Sequence, residues 1–195
     1  MRIAVTGGIC DGKSTVLRML ARLGLPVVAA DSFVRDLYAN PTFVAGLGRE
    51  LGGQAVSGGR VNRAWVREQT LLEPHFRRRL NALLHAPVLR LLLERMELEG
   101  SGPCFAEVPL LIETACQNRF DRVWVVDAGA KERMRRLKER LRGDEAQARA
   151  LLATQLPTEA KLPFADRIVR TNRPVASVLL LVTRLVAEVR GRQCA

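Results

Sequence analysis

The stretch Gly7-Gly8-Ile9-Cys10-Asp11-Gly12-Lys13-Ser14-Thr15 fits the pattern G-x-x-x-x-G-K-[ST] from Gly7 to Ser14, and nothing else in the chain restricts its fold as strongly. Gly7 and Gly12 permit positive φ, so successive N–H groups can converge on phosphate oxygens at the positive end of the next helix. In this pattern Lys13 adds a point charge at the β- and γ-phosphates, and Ser14 a hydroxyl ligand for Mg²⁺. The flanks agree. Arg2 to Thr6 is a short β-prone run ending at the glycines, and Ser14 to Gly24 carries Val16, Leu17, Leu20, Ala21 and Leu23 at helical spacing. A turn that only joined strand to helix would not need Lys-Ser-Thr. The expected nucleotide-phosphate site therefore comprises Gly8, Cys10, Asp11, Gly12, Lys13, Ser14 and Thr15.

After this helix the apolar run Val27-Val28-Ala29-Ala30 reads as a buried strand ending on Asp31. In open α/β sheets ligands bind beyond the carboxyl ends of the strands, which gives Asp31 a place in the same crevice as the glycine loop. A helix cap for a run beginning at Ser32 is the competing reading. From Ser32 to Leu98 the pattern is helical, broken at Asn40-Pro41 and by a glycine-rich loop from Leu51 to Gly59, with Pro87 expected to kink or end the last run near His85-Ala86. Cys104 to Val108 is a third strand carrying Glu107, where phosphate-loop enzymes hold the magnesium shell. Arg122 to Asp127 and Ala165 to Arg170 are a fourth and a fifth. Their alternation with helices makes a doubly wound parallel α/β sheet of about five strands. Two charged helical runs, Lys131 to Leu141 and Asp144 to Gln155, are either a lid over triphosphate or a solvated surface hairpin. The expected division is a core (1–31, 103–130, 163–195), an inserted helical subdomain (32–102) and a lid (131–162), all within one domain.

Composition narrows the function. Hydrophobic residues make up 48% of 195 residues, enough for a full core. The longest apolar run, Val175 to Val182, is too short to cross a bilayer, and the chain enters the first strand without the pattern of a signal peptide, so a cytoplasmic protein is expected, with no membrane partner. Cys10, Cys104, Cys116 and Cys194 are widely spaced with no C-x-x-C pair, and are expected to be free thiols. The net charge of +11 fits nucleic acid or a small polyanionic substrate. The basic residues alternate with Glu along amphipathic segments and lack aromatic stacking partners, which favours the small substrate over nucleic acid. Oligomeric state is left open.

With these residues in view, the chain resembles the dephospho-coenzyme A kinase family over nearly its whole length. Thr6-Gly7-Gly8-Ile9 with Gly12-Lys13-Ser14-Thr15 is similar to the family's T-G-G-I-x-x-G-K-S-T, and Val108-Pro109-Leu110-Leu111-Ile112-Glu113 to its V-P-L-L-x-E. Arg63 to Arg67 is similar to R-x-x-L-R, Leu80 to His85 to L-x-x-x-x-H, and Arg140 and Gln155 match lid positions. The resemblance implies a phosphate-loop kinase that phosphorylates the ribose 3′-hydroxyl of dephospho-coenzyme A with ATP and Mg²⁺. It implies Lys13, Asp31 and Arg140 as catalytic, Arg63, Arg67, His85, Pro109 and Leu110 alongside Asp31 as substrate-binding, and Ser14 and Glu107 at the metal. Other readings are a kinase of another small acceptor, such as a nucleoside monophosphate, and a nucleotide-dependent nucleic-acid-binding protein. Four positions depart from the family pattern. Cys10-Asp11 replaces small residues, Ala86 a proline, Leu141 an aspartate after the lid arginine, and Thr158 a basic residue. Asp11 is expected to bring a negative charge close to the triphosphate.

Overall fold

The structure, a computed structural model, describes residues 1–191, so Cys194 lies outside the described residues. It divides into two compact units, Met1–Val28 with the chain from Arg95 onward, and Ala29–Glu94.

The first unit is built on a five-stranded sheet of β1 (Arg2–Thr6), β2 (Val27–Ala29), β5 (Cys104–Glu107), β6 (Arg122–Asp127) and β7 (Arg167–Arg170), in the order β2-β5-β1-β6-β7. β1 lies in the middle, parallel to β5 through Arg2↔Cys104 to Val5↔Glu107 and parallel to β6 through Ile3↔Arg122 to Thr6↔Val125. β7 continues the sheet, parallel to β6. β1, β2, β5 and β6 are largely apolar runs, as expected of buried parallel strands, whereas β7 at the edge carries Arg167, Arg170 and the exposed Ile168. On one face Ile3, Val5, Phe105, Trp124, Val126 and Val169 pack against α1 (Lys13–Arg22) and α9 (Val175–Gly191) through Val16, Leu20, Val182 and Leu185. Phe105 and Trp124 meet edge to face at 5.0 Å. The remaining helices of this unit are α6 (Ala130–Arg140), α7 (Glu145–Leu152) and α8 (Thr158–Lys161).

The second unit holds α2 (Ala30–Ala39), α3 (Pro41–Leu51), α4 (Arg63–Leu72) and most of α5 (Pro74–Glu97). Leu47, Leu51, Ala55, Val66 and Leu80 form its core, flanked by Trp65 and Phe76. Asn40 and Asn62 cap α3 and α4 through their side-chain oxygens.

Three expectations are corrected here. The glycine-rich loop contains a small hairpin, β3 (Val56–Ser57) with β4 (Arg60–Val61), turned by Gly58 and Gly59 at φ 56° and 72°. That pair of positive φ values suits a two-residue hairpin, and strands two residues long leave no alternation to read. Helix α2 begins at Ala30, so Asp31 lies in its first turn and is neither a strand residue nor the cap, a position taken by Ala29. Helix α5 runs through Pro87. An internal proline costs about 3 kcal/mol, yet beyond it Leu92, Leu93 and Met96 are each buried to 6% exposure or less. Each such side chain contributes about 1.5–3 kcal/mol, so burial outweighs the missing hydrogen bond.

Because the helix persists despite Pro87, Pro87→Ala is expected to stabilise the protein by about 1 kcal/mol or more by restoring an N–H donor. Urea unfolding checks this; a lowered midpoint would mean that the packing of the ring outweighs the bond.

Candidate active site

The glycine loop leaves the carboxyl end of the central strand and enters α1. Gly7 has φ 147°, and a Cβ built on it would lie 2.3 Å from the Val126 carbonyl oxygen, so only glycine fits where the loop passes under β6. Cys10 (φ 62°) and Gly12 (φ 95°) turn the loop through left-handed conformations that draw its amides inward. Lys13 folds back over the loop and donates to the Gly7 and Gly8 carbonyls at 3.0 and 2.8 Å. Burial pushes its ammonium below the usual lysine range, opposed by the carboxylates of Glu107 and Asp11. Ser14 is exposed, and its hydroxyl makes no hydrogen bond among the described residues.

Asp11 turns into the protein. Its side chain is fully buried, and its carboxylate accepts the Gly8 N–H at 2.6 Å, the Ala128 N–H at 3.2 Å and the Thr158 hydroxyl. Arg133 lies 3.8 Å away and also donates to Thr158. The carboxylate is therefore held inside the protein, where its charge still reaches the Lys13 ammonium.

The helical segment between β6 and β7 is fixed at its base. From α6, Arg136 donates to the Thr171 carbonyl at 2.7 Å and the Cys10 carbonyl at 3.4 Å, while Glu132 holds its Nε at 2.9 Å. From α8, the buried Lys161 donates to the Pro109 carbonyl at 3.1 Å and pairs with Glu113 at 2.7 Å; Glu113 also accepts the Leu156 N–H. Pro109 and Glu113 thus anchor the segment between β6 and β7 through the V-P-L-L-I-E string. Leu110 is half-buried beside them. Arg140, the last residue of α6, is exposed and makes no hydrogen bond or ion pair among the described residues. Sequence reading does not find these contacts of Arg133, Arg136 and Lys161, because their partners Thr158, Thr171 and Pro109 lie 25, 35 and 52 residues away along the chain.

In the second unit Asp31 is exposed and without a hydrogen bond or ion pair among the described residues. Arg63 stacks over Tyr38 at 5.7 Å, and Arg67 is exposed. His85 lies within unbroken helix, and its buried Nε2 has no hydrogen-bond partner among the described residues.

A central parallel sheet in this order, with a G-x-x-x-x-G-K-S loop at the carboxyl end of its middle strand, defines a phosphate-loop kinase. Residues 1–176 match the family model for dephospho-CoA kinase, and the chain belongs to that family. It is accordingly a transferase that phosphorylates dephospho-CoA at the expense of ATP, in coenzyme A biosynthesis. A dephospho-CoA kinase of Streptococcus pyogenes serotype M1 is 30% identical over 183 residues, 92% of this chain and 93% of its own length. One of Cutibacterium acnes is 32% identical over 201 residues, 98% of this chain and 85% of its own. Among solved structures, TT1252 from Thermus thermophilus superposes with a TM-score of 0.81 at 29% identity, covering 97% of each chain. The dephospho-CoA kinase from Campylobacter jejuni (TM-score 0.63, 20% identity, 96% of each chain) shares the fold. No helix among the described residues is long and apolar enough to cross a membrane.

Removing one partner of a buried ion pair strands the other, so Lys161→Met is expected to cost about 3–5 kcal/mol in chemical unfolding. Adding Glu113→Gln, which keeps an acceptor for Leu156, should recover most of that loss.

Proposed function

We propose that the phosphoryl group is transferred to the ribose 3′-hydroxyl of dephospho-CoA, with Asp31 accepting the hydroxyl proton. The observation that carries this reading is the state of Lys13. Its ammonium rests on two loop carbonyls, a hold it can exchange for the β- and γ-phosphates when ATP fills the ring of amides. Cys10, Gly12, Ser14 and Thr15 supply the rest of that ring, while the Gly8 N–H is taken by the Asp11 carboxylate, which shapes the loop from inside. Ser14 and Glu107 suit Mg²⁺, because few protein oxygens are needed where phosphate and water complete the shell. Bound there, the ion would neutralise charge on the phosphates.

Arg140 is free to reach the transferring group when the lid tip closes, and the base of the lid stays fixed on the core through Arg136 and Lys161. Closure excludes water, which would otherwise accept the phosphoryl group. Leu141 gives Arg140 no carboxylate to orient it, so its contribution comes from charge in the closed state alone. Arg63, Arg67 and His85 are substrate contacts in this reading. Two of the three are cationic and exposed, which suits the diphosphate of the acceptor.

Coupled ATP turnover tests the acceptor: dephospho-CoA should stimulate it far above any nucleoside monophosphate, and equal turnover of a nucleoside monophosphate would overturn the reading. Asp31→Asn is expected to lower kcat by about 10²-fold or more with ATP affinity nearly unchanged. Arg140→Ala should cost at least about 10-fold in kcat with little change in thermal stability. Wild-type kcat in that variant would mean that the exposed tip is only a solvated surface.

A further inference from the structure

We propose that Asp11, Thr158 and Arg133 act as one positioning unit that holds the phosphate loop in its nucleotide-ready shape, so that Asp11 raises ATP affinity instead of opposing the triphosphate. The proposal rests on the glycine loop being the ATP site.

A carboxylate removed from water is tolerated only when its lone pairs and its charge are both met. For Asp11 they are. Oδ2 takes the Gly8 N–H and the Thr158 hydroxyl, Oδ1 takes the Ala128 N–H, and the Arg133 guanidinium supplies the opposite charge. The main-chain oxygen of the same residue accepts the Thr171 hydroxyl at 2.6 Å. One loop residue is thereby tied to the start of the loop, the segment after β6, α6, α8 and the end of β7. Arg133 depends on the same set, because its Nε is buried without a partner and its Nη atoms face Thr158, Asp11 and, at 3.7 Å, Glu159.

Two departures from the family pattern, Asp11 and Thr158, thus touch each other across 147 residues of sequence. Each accounts for the other. A basic side chain at position 158 would compete with Arg133 for the carboxylate, and a small residue at position 11 would leave the buried Arg133 only the half-exposed Glu159 as counter-charge. The bonds also fix the part of the loop that must keep Cys10 and Gly12 at positive φ, the geometry on which amide convergence depends.

The test is calorimetric ATP binding together with steady-state kinetics and thermal unfolding for Asp11→Asn, Thr158→Val and the double variant. Asp11→Asn, which keeps the shape and removes the charge, should raise the ATP Kd by about 10-fold while kcat at saturating ATP changes less than about threefold. Thr158→Val should raise the Kd in the same direction, and the double variant should bind no more weakly than Asp11→Asn alone, as expected of residues acting through one network. A lower or unchanged Kd in Asp11→Asn overturns the proposal in favour of a repulsive or idle charge, and so do effects that multiply. If Asp11→Asn does not fold, Thr158→Val decides alone: its ATP Kd must rise at saturating protein stability, and an unchanged value overturns the proposal. Lys13→Ala separates this from the underlying site reading, because unchanged ATP affinity in that variant would remove the loop as the ATP site whatever Asp11 does.

Discussion

The placement of β1 between two parallel neighbours is the constraint from which the site follows. A strand bonded on both edges delivers its carboxyl end to the middle of the sheet, where the crossovers of β5 and β6 leave a crevice. The chain must turn there beneath the Val126 carbonyl, and the close approach at Gly7 excludes any side chain. The left-handed loop, the start of α1 and Lys13 folded over the loop all hang from that turn.

The same loop explains how the surplus of positive charge is used. Arg133, Arg136 and Lys161 are spent on internal bonds within the first unit. Arg67 and Arg140 remain exposed. Net charge alone does not distinguish these two populations. The distinction is one of burial: a desolvated cation is tolerable only with an acceptor in contact, whereas an exposed one keeps its hydration until a ligand replaces it.

Much of the fold was legible because its signals are local. The G-x-x-x-x-G-K-S string, the apolar runs of β1, β5 and β6, and the string from Val108 to Glu113 each declare themselves within ten residues. What escaped depends on partners remote in sequence. Asp11 reads as an unfavourable charge until Thr158 and Arg133 are seen beside it, and Pro87 reads as a break until the burial of Leu92, Leu93 and Met96 is counted. Asp31 reads as a strand end, although the strand stops two residues earlier and the helix has already begun. The hairpin at Gly58-Gly59 was missed for a different reason: its strands are too short to carry a period.

The distances spanned by the loop's bonds also bear on how the protein is made. The glycine loop is synthesised first, but β1 pairs with residues 104–107 and 122–125, and the loop is tied down by Thr158 and Thr171, at sequence separations of 147 and 160. Contacts of such range carry a large loop-closure cost and form late. On the ribosome, the nucleotide site therefore cannot take shape until more than four-fifths of the 195 residues have emerged, and until then the apolar strands that frame it depend on not finding other partners.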